Sequence, residues 1–208
     1  MFRRLITLAV AAAVFAVLVP SALAVRAKIR VEGKTTTIFG AVQPTLISGP
    51  NALAALDAAS FAGEFYYHVT VTGFGPFVDQ IGRYPGEGFS GWSYKVNGVS
   101  PPIAADQATI KAGDTVLWYW TTFSEQGGSP TLLLKPWYRS NPRSRSPVRN
   151  CYEVLSQNDL GQSTLASGAK LHVDGRRVTT RAGRGCVGRH RGLVRATAEG
   201  AVRSNALR

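Results

Sequence analysis

At 208 residues the chain has room for one or two small domains. Its formal net charge of +12 lies almost entirely in the last third, because residues 139–208 hold fourteen Lys or Arg against four Asp or Glu. Residues 25–138 hold eight of each sign. The first residues have the pattern of an export signal. We therefore expect an anionic envelope polymer rather than nucleic acid as the partner of this Arg-rich region. The alternative is that the Arg content reflects composition alone.

The first residues have the pattern of a secretory signal peptide, 1–24. Arg3 and Arg4 precede an apolar run, and Ser21-Ala22-Leu23-Ala24 is an A-x-A-like cleavage site. An uncleaved anchor is the alternative, but the run is shorter than the ~20 residues that span a bilayer. No Cys stands at the cleavage point, which excludes lipid attachment there. We therefore expect a secreted protein, extracellular or associated with the cell envelope, that is not transmembrane after cleavage.

The chain after the signal predicts short strands and one helix. Alternation of apolar and polar residues predicts strands, and an Ala-rich segment with Leu53 and Leu56 on one face predicts the helix. In chain order the predicted elements are a hairpin over 27–31 and 35–39, the helix over 51–60, and strands over 65–72 and 77–81. In the strand over 65–72, the odd positions from Phe65 to Val71 are predicted to face inward.

An aromatic segment, residues 91–120, organises the first half of the chain. Trp92, Tyr94 and Val96 alternate with polar residues, as in a half-buried strand. The dipeptide Asn97-Gly98 predicts a tight hairpin turn. A second aromatic strand follows over 115–121, with Trp118 and Trp120 on one face and Tyr119 on the other.

This pattern, Gly-Trp-x-Tyr-x-Val-Asn-Gly followed by Ile-x-x-Gly-Asp and an aromatic strand, resembles a bacterial domain of unknown function. That domain is similar to the C-terminal β domain of transcobalamin and intrinsic factor, and the resemblance covers roughly 25–122. It implies a β-grasp-like domain, which the strand and helix order also fits. In the family this domain closes over one face of cobalamin, so the resemblance implies a cobalamin ligand at Gly91, Trp92, Tyr94, Asn97 and Gly98. The α-helical barrel of the animal carriers has no counterpart in this chain.

The remaining chain is predicted to be a linker, 123–149, and a small basic β domain, 150–208. The linker is rich in Gly, Ser, Pro and Arg, and its run Leu132–Leu134 is a candidate last strand of the first domain. Short strands are predicted over 151–155, 168–174, 177–180, 192–198 and 201–205. Their spacing resembles small carboxypeptidase-regulatory-like β-sandwich modules.

Cys151 and Cys186 are the only cysteines, and an exported chain predicts a disulfide between them. The alternative is a metal site with His172 and His190, but no C-x-x-C pair supports it. We expect no metal. The sequence Gly183–Gly188 matches G-x-G-x-x-G without the strand-to-helix context of a phosphate site, so it predicts a glycine-rich turn.

Catalytic motifs give no positive support for an enzyme. The three His are well separated, and no G-x-S-x-G, H-E-x-x-H or P-loop pattern occurs. A paired-carboxylate glycosidase site has no sequence signature here. The chain is therefore expected not to be an enzyme and to need no cofactor, with cobalamin as a possible ligand only.

Aromatic residues are the remaining candidates for a functional site. We predict a ligand-binding surface for a small molecule or an envelope polymer; its residues are Trp92, Tyr94, Asn97, Gly98, Tyr66 and Tyr119. The alternative is that the alternating aromatics only form the sheet core.

The sequence thus predicts an α+β, mostly β protein. It would combine a β-grasp-like domain containing one helix with a small disulfide-closed β-sandwich-like domain. The expected function is a secreted, non-catalytic binding or adhesion module of a bacterial envelope. A cobalamin-binding protein and, third, an envelope hydrolase are the alternatives.

Overall fold

Strands dominate the computed structural model, which describes residues 24–73, 75–125, 127–138 and 147–208. The described elements begin with β1 (Val25–Glu32), β2 (Thr37–Phe39), β3 (Thr45–Ser48), α1 (Ala52–Gly63), β4 (Tyr67–Thr72), β5 (Gly75–Ile81), β6 (Tyr84–Pro85), β7 (Ser90–Val96) and β8 (Thr115–Thr122). They continue with β9 (Thr131–Tyr138), β10 (Pro147–Gln157), β11 (Ser163–Leu165), β12 (Lys170–Val173), β13 (Arg176–Thr179), β14 (Arg184–Cys186) and β15 (Arg195–Thr197). Within these residues the prediction of a mostly β protein with one helix is confirmed. The predicted signal peptide lies outside the described residues, except for Ala24.

The first sheet has the order β2-β1-β8-β7, and β3 pairs with the first half of β1. Strands β1 and β8 are parallel, whereas the other pairs are antiparallel. The predicted hairpin is present as β1 and β2. Strand β3 was not predicted.

Helix α1 covers one face of this sheet. It begins where the Asn51 side chain accepts a hydrogen bond from the Ala54 amide at 2.8 Å, and it ends at Glu64, which has a left-handed φ of 51°. Its buried residues are small or aliphatic, so the helix lies close to the sheet; they are Ala52, Ala55, Leu56 and Ala59. The Trp118 indole donates to the Ala52 carbonyl at 3.1 Å, which joins helix and sheet. The predicted helix is confirmed, although it begins one residue later and ends three residues later than expected.

A small sheet, β4-β5-β6, lies beside this core. Val78 and Ile81 of β5 are buried in the core, whereas Val71 of β4 is 83% exposed. The prediction that Val71 faces inward is therefore wrong, because the end of β4 projects beyond the core.

The part of the chain from β9 onward, which we call the C-terminal part, forms a second core between two sheets. Strand β10 pairs with β9, β11 and β14, and the second sheet has the order β13-β12-β15. Apolar residues from both sheets fill the space between them; they include Leu132, Leu134, Val154, Leu171 and Val194. The disulfide between Cys151 and Cys186 is confirmed and joins residues directly opposite each other in β10 and β14.

Two further sequence expectations change in this region. The run Leu132–Leu134 is a strand, but it lies in β9 and pairs with β10, so it belongs to the second core rather than to the first sheet. The predicted strand over 201–205 is instead irregular, and Val202 makes an isolated bridge with Thr131. Residues 139–146 of the predicted linker lie outside the described residues, and the domain boundaries stay predictions.

A buried carboxylate joins the two parts of the chain. Glu32, at the end of β1, is 0% exposed and accepts a hydrogen bond from Thr37 at 2.9 Å. Arg195 and Arg203 of the C-terminal part reach Glu32 at 2.5 and 3.2 Å, and Arg30 lies at 3.5 Å. Burial lowers the pKa of Arg30 to about 10, so its guanidinium remains charged at neutral pH. Three guanidiniums around one carboxylate, the Glu32 cluster, thus hold the second core against the first sheet.

A second buried charge lies on the same face of the sheet. Lys95 of β7 is 0% exposed, and its Nζ lies 3.3 Å from Asp159 Oδ1. It also donates to the carbonyls of Gln157 and Asn158 at 3.2 and 3.0 Å. Burial lowers the pKa of Lys95, and the Asp159 carboxylate opposes that shift. The face of the first sheet opposite α1 is therefore covered by the C-terminal part.

We predict that Glu32→Gln destabilises the protein by about 3–5 kcal/mol, because the change leaves buried guanidiniums without their counter-charge. Urea denaturation of a protein comprising residues 25–208 measures the effect. The matched control is Glu153→Gln, which breaks a partly exposed pair with Arg184 at 2.9 Å and should cost at most about 1 kcal/mol. Equal, small losses for both variants would contradict the role of the Glu32 cluster.

Candidate functional site

A half-open cavity of about 580 Å³ lies between β5, β7 and the segment 101–107. Its floor is formed by Trp92, Tyr94 and Trp118. The volume is within the range of small-ligand sites, which is about 300–1,000 Å³. Two of the predicted site residues, Trp92 and Tyr94, therefore line a concave surface.

The polar atoms of the floor are all engaged inside the protein. Trp92 Nε1 donates to the Tyr84 carbonyl at 2.8 Å, and the Tyr94 hydroxyl donates to the Ile103 carbonyl at 2.7 Å. Trp92 and Trp118 are only 3% and 2% exposed, and the Tyr94 and Trp118 ring centroids lie 5.2 Å apart. Trp92, Tyr94 and Trp118 are therefore part of the sheet core, as the alternative interpretation of the sequence expected. A ligand in the cavity would meet only their apolar surface.

The walls are apolar and more exposed than the floor. Phe77, Ile103 and Phe123 are 47%, 48% and 41% exposed. Phe77 and Phe123 also line an adjoining cavity of about 420 Å³, at whose edge Phe89 is 84% exposed. We call the two cavities together the aromatic groove. An exposed, contiguous apolar surface of this kind is typical of an interaction site.

The charge of the aromatic groove is negative. Asp79 and Glu87 line the second cavity, and Asp106 Oδ1, next to the first, is buried without a hydrogen-bond partner among the described residues. The hydrogen bond from Thr70 to Asp79 lowers the pKa of this carboxyl group most, and the one with His68 lowers it further. Among the described residues that line the groove, none is Lys or Arg.

The other predicted site residues lie elsewhere. Asn97 and Gly98 form the predicted turn, with φ of 53° and 86°, away from the groove. Gly98 faces the Gln157 side chain of the C-terminal part, and the Asn97 side chain donates to Asp114 at 2.8 Å and accepts from the Thr115 amide at 2.9 Å. Tyr66 is 60% exposed and its hydroxyl accepts from Gln80 at 2.5 Å, outside the groove. Tyr119 was expected on an exposed face. That expectation is wrong, because the C-terminal part covers Tyr119 completely.

Sequence reasoning missed Phe77, Phe89 and Phe123 as site residues. Phe77 was assigned only to a strand, and Phe89 and Phe123 stand at the ends of strands. The available signal was that these Phe residues stand at strand ends next to predicted turns or linkers, where a large apolar side chain has no core to enter.

The Arg-rich surface is smaller than the charge count suggested. Arg195 and Arg203 bind Glu32, and Arg184 pairs with Glu153. The other described arginines of the C-terminal part are exposed; they are Arg149, Arg176, Arg177, Arg181, Arg189, Arg191 and Arg208. Within the described ranges, no group of three or more His, Cys, Asp or Glu could hold a metal ion.

One family model, described as "Domain of unknown function (DUF4430)", matches residues 49–122. The match extends from just before α1 to the end of β8 and so includes much of the aromatic groove. No curated protein matches the chain. Within the described ranges, the structure contains no helix with the length and apolar character needed to cross a membrane.

We predict that Trp92→Ala destabilises the protein by about 3–5 kcal/mol, since it empties a buried site beside Trp120. Phe77→Ala should cost less than about 1 kcal/mol, because Phe77 is half exposed. Thermal and urea unfolding measure both. If Phe77→Ala proved as destabilising as Trp92→Ala, Phe77 would be a structural residue and not a free wall of the groove.

Proposed function

We propose that this protein is a secreted, non-catalytic binding module of a bacterial cell envelope and that the aromatic groove holds its ligand or partner. The observation that carries the proposal is a concave, partly exposed set of aromatic walls over a floor whose polar atoms are engaged internally. Such a surface offers area for an apolar contact.

The residues of the groove support binding rather than catalysis. Among its described lining residues none is His, Cys, Lys or Arg, so the two serines of the lining, Ser90 and Ser93, have no His or Lys beside them in the groove to activate them. Its one carboxylate with a lowered pKa, Asp79, is engaged by Thr70 and His68.

The topology supports a β-grasp-like first domain related to the C-terminal β domain of transcobalamin. The parallel pair β1 and β8 at the centre of a mixed sheet, with α1 across one face, is the arrangement such a domain would have. The C-terminal part would add contact with anionic envelope polymers through its exposed arginines. The disulfide is compatible with an extracellular location.

A corrinoid is a second candidate ligand. It is favoured by the position of Trp92 and Tyr94, which the family resemblance implicates, on the floor of the groove. Asn97 and Gly98, which the resemblance also implicates, lie away from the groove. A corrinoid would therefore contact the exposed walls Phe77 and Phe123 and not the turn.

Titration of the mature chain with Nile red, a neutral planar apolar probe, tests the binding surface. We expect saturable fluorescence enhancement that weakens about five- to thirtyfold in Phe77→Ala, since an aromatic contact of this kind contributes roughly 1–2 kcal/mol. The matched control is Phe61→Ala, which removes a 79% exposed aromatic on α1 outside the groove. Equal affinities in all three proteins would contradict the proposal.

The same three proteins titrated with cobalamin decide between the two ligand classes. Saturable quenching of Trp fluorescence in the wild type and in Phe61→Ala, but not in Phe77→Ala, would favour the corrinoid. A flat titration beside saturable Nile red binding would exclude it.

A further inference from the structure

We propose that the partner in the aromatic groove is an extended peptide segment that adds a strand to the open edge of β7 and carries Lys or Arg among apolar side chains. This inference rests on the proposed binding function and names the class of partner. It differs from the corrinoid hypothesis because main-chain hydrogen bonds, and not stacking alone, would hold the partner.

The hydrogen bonds of β7 show which backbone groups face outward. Ser90 exchanges hydrogen bonds with Glu87, and Val96 exchanges them with Val99, both on the side of β7 away from β8. Because the backbone direction alternates along an antiparallel strand, Trp92 and Tyr94 also present their N–H and C=O groups to that side.

Three of these outward groups have no partner in the described part of the chain. The Tyr94 carbonyl accepts from Ser100 Oγ at 3.2 Å, whereas the Tyr94 N–H and both backbone groups of Trp92 make no hydrogen bond. Trp92 is only 3% exposed, so its groups are shielded from water as well. Backbone groups that are both buried and unpaired are rare and costly, which indicates a place where a ligand completes the pairing.

The sequence keeps this edge open. After the turn at Asn97-Gly98 the chain runs back beside β7, and Val99 pairs with Val96. Pro101 and Pro102 follow, and proline has no N–H to continue the ladder. The chain then diverges to form the far wall of the groove, and the cavity of about 580 Å³ lies at Trp92, Ser93 and Tyr94.

Charge selects the kind of peptide. Asp79 and Glu87 line a groove whose described lining contains no basic residue, and the unpartnered oxygen of Asp106 lies beside Gly75 of that lining. A Lys or Arg side chain on the added strand would supply the missing donor to Asp106. The exposed walls Phe77, Ile103 and Phe123 would contact apolar side chains at the alternate positions.

The test begins with selection of a random phage-displayed peptide library on the mature chain. We expect selected peptides to combine alternating apolar residues with Lys or Arg and to lack Pro in their central positions. A selected peptide is then synthesised with single N-methylations along its backbone. Methylation at every second position should weaken binding about tenfold, and methylation at the intervening positions should not, because only one set of N–H groups faces β7.

A side-chain variant checks the charge. Asp106→Asn should weaken the Lys- or Arg-containing peptide about tenfold, whereas Glu199→Gln, an exposed change in the C-terminal part, should leave it unchanged. Selected peptides that tolerate N-methylation at every position would overturn strand addition. Failure to select any peptide from a protein that still binds Nile red would overturn the inference and leave the proposed function standing. Loss of both kinds of binding would overturn both.

Discussion

The buried contact between Glu32 and its three arginines is the interaction on which the arrangement of this protein depends. A carboxylate at 0% exposure is costly to desolvate, and here two of its guanidinium partners come from residues more than 160 positions further along the chain. Separating Glu32 from these arginines would leave a buried charge without its counter-charge. The C-terminal part is thereby fixed on one face of the first sheet, and Lys95 with Asp159 fixes it at a second point on that face.

This contact decides where a ligand can bind. One face of the first sheet is covered by α1 and the other by the C-terminal part, so neither face is open. The sheet is left with its edge at β7, beside the aromatic groove. The aromatic residues divide in the same way. Trp92 and Trp118 stabilise the core and supply the floor, whereas Phe77 and Phe123 remain partly exposed on the walls.

Local patterns in the sequence predicted much of the fold. Alternation predicted β7 and β8, Asn97-Gly98 predicted the turn that follows β7, and the two cysteines predicted the disulfide. The strands and the turn depend on residues that are close in the sequence, and the disulfide follows because the chain has only two cysteines. Strand β3 was missed because Thr45–Ser48 is short and because it becomes a strand only by pairing with β1, which lies earlier in the chain.

The errors about the site have a long-range cause. Periodicity separated the two faces of β8 correctly, but it cannot tell which distant segment covers the second face, so Tyr119 was expected to be exposed. The arginines of the last third were counted as one basic surface, although Arg195 and Arg203 are internal partners of Glu32. Trp92 and Tyr94 line the groove, while the Phe walls were missed, because exposure depends on packing across segments distant in the chain.

The temperature coefficients of the amide proton shifts along β7, measured by NMR on residues 25–208 without ligand, test the central claim most directly, because they report hydrogen bonding even where burial slows hydrogen exchange. The open edge predicts alternation: the amides of Ser93 and Lys95, which face β8, have the small coefficients of hydrogen-bonded amides, and those of Trp92 and Tyr94 have larger ones. Uniformly small coefficients over Trp92–Lys95 would show that the edge is already paired, and the groove would then have no open strand to offer a partner.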